Sequence, residues 1–298
     1  MHPVTPAAPA TIGVFDSGVG GLSVLRHIHA ALPAEHLVYL ADAGFAPYGD
    51  KPETLVAARA LAIAGFLIEF GAKALVVACN TATAVAIESI RARYPAIPVV
   101  GVEPGLKPAA EVSLTKTVGV LATSGTLASA RFAQLQSQIT AATGVRFILQ
   151  PCPGLADQIE KGELRSPATA RRIEALVRPL LDQGADALVL GCTHYPFIQP
   201  LIEATIARRH PAGAAARVTL IDTGDAVARQ LEAVLRIQAK LRDPALPGTF
   251  TACTTGSRSG LSQALRRLLG VSLPVTTLVL NDPIAGAMES TPRQAIRL

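Results

Sequence analysis

The chain contains no tryptophan, and aromatic residues make up only 4% of its 298 positions. A surface that binds single-stranded nucleic acid by stacking bases on aromatic rings is therefore poorly supplied. Charged residues are also sparse, at 16%. The net charge of +5 is not gathered into a basic run, since Arg171–Arg172 and Arg208–Arg209 are isolated pairs. It reads as a solvated basic surface with a mild attraction for small acidic molecules, without a nucleic-acid arm. No apolar run approaches a membrane span. The opening MHPVTPAAPA lacks the basic region and apolar stretch of a secretory signal, so a cytoplasmic setting is expected. The four cysteines, Cys79, Cys152, Cys192 and Cys253, include no CxxC pair. Cys192 and His194 are too close in sequence for the usual chelating turn, so no metal site is expected. In a reducing compartment all four remain thiols.

Half of the residues are hydrophobic, enough for a large core and contrary to disorder. Short apolar runs recur at 11–15, 36–41, 73–78, 97–102, 117–123, 145–150, 186–191, 217–222 and 249–256. Stretches with helical periodicity separate them, among them 22–32, 52–70, 82–93, 124–139, 167–183 and 225–241. Strand–helix repetition of this kind predicts α/β architecture with parallel sheets covered by helices. Two lobes are expected, each a mostly parallel sheet flanked by helices, related by a pseudo-twofold axis with the active site in the cleft between them. The Gly101–Gly105 segment is the expected crossing and His210–Gly213 the expected return. These place lobe one at 11–104 plus 217–280, lobe two at 105–216, and a C-terminal tail at 281–298.

Two of the apolar runs end alike. LVVACNTATA from Leu75 and LVLGCTHYPF from Leu188 each run from aliphatics through a small residue to a cysteine, then polar residues, then a helix. Open α/β sheets bind ligands at the carboxyl ends of their strands, and a following helix N-terminus favours a thiolate. A lone cysteine is more often a small core residue, and Cys152 and Cys253 are read that way. Matched contexts in matched lobes point instead to Cys79 and Cys192 facing one cleft. Two opposed thiols, one protonated and one not, can remove a proton from one face of a carbon and return one to the other. Such a site inverts a stereocentre without a cofactor. It needs donors to stabilise a carbanion-like state and a group for an ammonium. At 12–23, IGVFDSGVGGLS offers Asp16 and Ser17 at a strand end. The glycines after them lack the last glycine of the dinucleotide fingerprint and any P-loop lysine. Asp42 and Tyr48-Gly49 fall at the next strand end.

IGVFDSGVGGLSVL (12–25), APYGDK (46–51), LVVACNTATA (75–84), VVGVEPG (99–105), VGVLATSGT (118–126) and LGCTHYPFI (190–198) span most of the chain in order. With them the sequence resembles the bacterial glutamate racemases of the cofactor-independent aspartate/glutamate racemase superfamily. The resemblance implies interconversion of L- and D-glutamate for peptidoglycan synthesis, no cofactor, and a homodimer. It implies that Cys192 takes the proton from L-glutamate and Cys79 from D-glutamate, with Asp16 and His194 assisting them. Substrate contacts would come from Asp16, Ser17, Tyr48, Gly49, Asn80, Thr81, Thr123, Thr193 and His194, with Asp42 and Glu160 as supporting acids. Ala43-Gly44-Phe45 departs from the Thr, Ala and Arg more usual in that family. A binding or regulatory protein on the same scaffold would need neither thiol.

Overall fold

The structure is a computed structural model that describes residues 10–209 and 218–280. Its larger sheet has six parallel strands in the order β10-β9-β2-β1-β3-β4. These are β1 (Thr11–Asp16), β2 (His36–Ala41), β3 (Ala72–Val77), β4 (Val99–Gly101), β9 (Phe250–Thr254) and β10 (Val275–Thr277). The smaller sheet has four, β6 (Arg146–Pro151), β5 (Thr117–Ala122), β7 (Ala187–Gly191) and β8 (Thr219–Ile221), also parallel.

β1 is buried along its whole length because it lies between two strands with helices on both faces. Side chains alternate across a strand. Ile12 and Val14 therefore enter one core, with α1 (Leu22–Ala31), α10 (Gly224–Ile237) and α11 (Arg258–Leu269). Phe15 enters the other, beneath α2 (Glu53–Glu69) and α3 (Asn80–Arg93). The smaller sheet is built likewise. Val118 and Val120 of β5 pack with α4 (Leu106–Val112) and α6 (Ala130–Thr143). Leu121 of β5 and Leu188 of β7 pack with α7 (Leu155–Glu160), α8 (Pro167–Asp182) and α9 (Gln199–Arg209).

Two expectations from the sequence change. The segment from 124 is not one helix. It forms α5 (Ser124–Ala128) and then α6, because Ser129 takes an extended backbone and its hydroxyl accepts the Phe132 amide as a new cap. The assignment of 217–280 to the first lobe also fails at its start. β8 pairs with β7, so Thr219–Ile221 extends the smaller sheet and the chain crosses back only after it. The run was too short for its sequence to show which sheet it joins. The outward and return crossings touch at Gly105, where a Cβ would meet Ile221 at 2.6 Å and Thr223 at 3.0 Å. The His210–Gly213 return and the 281–298 tail lie outside the described residues.

Candidate active site

The carboxyl ends of β1, β3, β5 and β7 converge on one cavity of about 50 Å3. Ser17, Tyr48, Gly49, Asn80, Thr81, Thr123, Thr193, His194 and Glu160 line it, together with Cys79 and Cys192. The expected substrate contacts thus share one space, apart from Asp16, which stands behind the wall. The two cysteines are 5% and 6% exposed, largely enclosed and on the lining of the cavity.

Cys79 follows β3 in extended conformation and caps α3, its sulfur 3.5 Å from the Ala82 amide. Its thiol reaches Ser17 Oγ at 3.9 Å. Burial and the neighbouring Asp16 carboxylate push this thiol well above its ordinary range, although the Ala82 amide opposes them. Cys79 therefore rests as a neutral thiol. Asp16 ends β1 completely buried, its Oδ2 accepting the Gly21 amide at 2.7 Å. Its Oδ1 accepts no hydrogen bond among the described residues. Burial raises the Asp16 carboxyl, against the opposing charge of His194 and the Gly21 amide.

The other side is built differently. Cys192 Sγ lies 3.6 Å from His194 Nδ1, and His194 Nε2 lies 2.8 Å from Glu160 Oε2. Burial disfavours the imidazolium, but hydrogen bonds and charges from Cys192 and Glu160 outweigh it and raise His194 well above its ordinary value. Glu160 is lowered, because the His194 contacts and the Val19 amide overcome its burial. An imidazolium against the sulfur is the partner a thiolate needs. The two thiols thus sit in unlike surroundings, Cys79 beside a buried carboxyl and Cys192 beside an imidazole biased toward its cation.

The lobes meet closely at the site. Ser23 Oγ donates to the Thr193 carbonyl at 2.8 Å. Thr81 and Thr123 hydroxyls lie 3.1 Å apart, and Thr126 is within 3.3 Å of Thr81. Gly20 must lack a side chain, since a Cβ there would collide with the His194 ring and the Thr193 hydroxyl.

Asp42, expected as a supporting acid, is not among the residues that line the cavity. Its carboxylate takes two hydrogen bonds from Arg59, at 2.8 and 2.9 Å, one from the Tyr48 hydroxyl at 2.6 Å and one from Thr255 at 2.7 Å. It anchors the loop that brings Tyr48 and Gly49 to the cavity. The atypical Phe45 completes this anchor, packing edge-on to Tyr48 with the Arg59 and Lys51 cations each 5.0 Å from its ring. Arg59 went unnoticed in the sequence, although helical spacing places it with the buried Val56 and Ile63 of α2. Cys152 is buried in the smaller lobe's core, as expected, and also borders the cavity just past the end of β6. Pro153 and a turn follow it instead of an immediate helix N-terminus, so it lacked the pattern of the other two. Burial holds its thiol at about 12, which leaves it inert near neutral pH. Cys253 is buried in the larger lobe's core. No cluster of His, Cys, Asp or Glu that could hold a metal occurs among the described residues, and no helix there is long and apolar enough to cross a membrane.

The His194–Glu160 pair has a calculable pH dependence. The raised His194 contributes stability fully below the ordinary imidazole value near about 6.5, and loses it as pH rises through its folded value. The lowered Glu160 contributes fully above about 4.3 and loses it as pH falls through its folded value. Glu160→Gln is therefore expected to lower the thermal midpoint most between those two ordinary values. Melting curves of both proteins from pH 4 to 9 measure this; a constant gap across the range would contradict the ion pair.

Fold and site together define an acid–base enzyme of the two-lobed α/β class. A sequence model described as Asp/Glu/Hydantoin racemase matches residues 12–231, and the chain belongs to that family. It is 49% identical over 264 residues to the glutamate racemase of Pseudomonas aeruginosa, covering 88% of this chain and 93% of that one. It is 53% identical over 234 residues to that of Pseudomonas syringae, covering 78% and 82%. Among solved structures, glutamate racemase from Francisella tularensis in complex with D-glutamate superposes with a TM-score of 0.78 at 27% identity, covering 92% and 99%. The Escherichia coli glutamate racemase in complex with L-glutamate and the activator UDP-MurNAc-Ala gives 0.74 at 30%, covering 90% and 97%.

Proposed function

We propose that this protein interconverts L- and D-glutamate by two-base proton transfer at the α-carbon, with Cys192 taking the proton from L-glutamate and Cys79 from D-glutamate. The observation that carries the reading is the asymmetry of the two thiols on one cavity. Cys79 is held protonated by burial and Asp16, while Cys192 faces an imidazole biased toward its cation. A Cys192 thiolate beside that imidazole, with Cys79 neutral, would be the state that receives L-glutamate. The Cys192 thiolate would remove the α-proton and Cys79 would deliver its own to the opposite face, leaving the two protonation states exchanged. D-glutamate then reacts by the reverse path.

The α-proton is very weakly acidic, so the carbanion-like state needs donors placed in advance. The start of α3 offers amides beside Cys79, and Ser17, Thr81, Thr123 and Thr193 offer hydroxyls on the cavity wall. Asn80 Nδ2 is buried with no acceptor among the described residues, so it is available to a substrate carboxylate. The proposal includes a homodimer in the cytoplasm that supplies D-glutamate for peptidoglycan, as the family resemblance implies.

Circular dichroism of purified L- and D-glutamate tests the reading. Signal is expected to decay toward zero from both enantiomers without any added cofactor. Preservation of either signal would refute it. In an amino-acid panel, glutamate should racemise much faster than aspartate, because the relatives that share about half of this sequence are glutamate racemases; equal rates would remove the substrate assignment.

A further inference from the structure

Tyr39 stands outside the cavity, yet its one polar atom is aimed at the site. It is a β2 residue, completely buried within the apolar core between the larger sheet and α1. A phenylalanine would fill that space equally well, and a buried phenol needs a partner for its hydroxyl. The partner is the Gly18 carbonyl, at 2.6 Å.

The Gly18 carbonyl and the Val19 amide belong to one planar, trans peptide unit and point in opposite directions, so fixing one fixes the other. The Val19 amide donates to Glu160, 3.0 Å from Oε2 and 3.2 Å from Oε1. That same Oε2 is 2.8 Å from His194 Nε2, and His194 Nδ1 is 3.6 Å from Cys192 Sγ. Three residues on, the Gly21 amide is pinned to Asp16 Oδ2 at 2.7 Å, which holds the other end of the turn. A continuous hydrogen-bonded path thus runs from the core of the larger lobe, across the cleft, to the thiol of the smaller one.

We propose that Tyr39 is a positioning residue for the Cys192 base, acting through the Gly18–Val19 peptide and Glu160; this rests on the two-thiol reading above. Without the phenol the peptide can tilt, and Glu160 loses the donor that fixes its direction toward His194. Burial and the nearby charges of Asp16 and Glu160 keep the phenol protonated well above its ordinary range, so it donates throughout the working pH. The charged groups that face Glu160 are His194, Asp16 and, from α11, Arg267. None of these replaces the Val19 amide, which is neutral and directional.

The test is Tyr39→Phe, which removes one oxygen, alone and combined with Glu160→Gln. The His194 ring is followed by nitrogen NMR in the substrate-free protein, a readout that does not depend on racemisation. In Tyr39→Phe, His194 is expected to titrate at lower pH than in the wild type. Racemisation should fall roughly tenfold, about what one lost hydrogen bond produces. In the Glu160→Gln background, adding Tyr39→Phe should cost less than about twofold, because both changes cut the same path. An unchanged His194 titration, or losses that simply multiply, would overturn the proposal. If the wild-type protein does not racemise glutamate, the functional reading falls while the His194 titration still decides whether Tyr39 positions that ring.

Discussion

Cys79→Ser and Cys192→Ser are each expected to lower racemisation by about a thousandfold, within the 10²–10⁴ range that a positioned acid or base contributes. Serine keeps the shape of the site but is a far weaker acid than a thiol. Both directions should fall together in kcat/KM, since the equilibrium between enantiomers fixes their ratio. The variants separate in isotope exchange. In deuterated water the protein that keeps Cys192 should exchange the α-proton of L-glutamate preferentially, and the one that keeps Cys79 that of D-glutamate. The same enantiomer exchanging in both variants would refute the assignment of faces. Cys152→Ser serves as the comparison. Its thiol lines the same cavity but is held protonated at about 12, so the substitution should leave the rate within a fewfold of wild type.

Arg59→Met is expected to produce the largest loss of stability, about 3–5 kcal/mol, the usual consequence of removing one partner of a buried ion pair. Asp42 is 0% exposed and Arg59 5%, with the guanidinium 2.8 Å from the carboxylate. Methionine fills much of the volume but leaves the carboxylate, among the described residues, with the Tyr48 and Thr255 hydroxyls. The double variant Arg59→Met/Asp42→Leu should recover part of the loss, because it removes the stranded charge. Denaturant unfolding of the two variants measures this, and a midpoint for Arg59→Met equal to wild type would contradict it. Because Asp42 also holds Tyr48, whatever fraction of Arg59→Met remains folded should show a raised KM for glutamate.

The two proposed bases were legible in the sequence because each rests on a local pattern: an apolar strand, a small residue, a cysteine and a helix start. The rule that ligands gather at strand carboxyl ends then placed Cys79 and Cys192 in one cleft. Asp42 shares that kind of position and was expected as a supporting acid. Strand ends fix where a residue lies, but not which way its side chain turns, and Arg59 on α2 turned this one away from the cavity. The break at Ser129 was missed because helical periodicity continues across it, while the cap that interrupts the helix depends on one hydroxyl. Glu160 was carried over from family resemblance; on α7 by itself it reads as a surface acid.

The sequence alone determined the α/β class, the strand ends that carry the thiols, and the family. These follow from periodicity, local propensity and short motifs, all set within a few residues of one another. Only the tertiary structure decided that β8 joins the smaller sheet, that Asp42 is an anchor, that Cys152 forms part of the wall, and that Tyr39 reaches the site through a peptide. Each of these depends on contacts between residues distant along the chain, as in the 141 positions between Val19 and Glu160. Hydrogen bonds at that separation exist only after the two lobes have packed, so no window of sequence contains them.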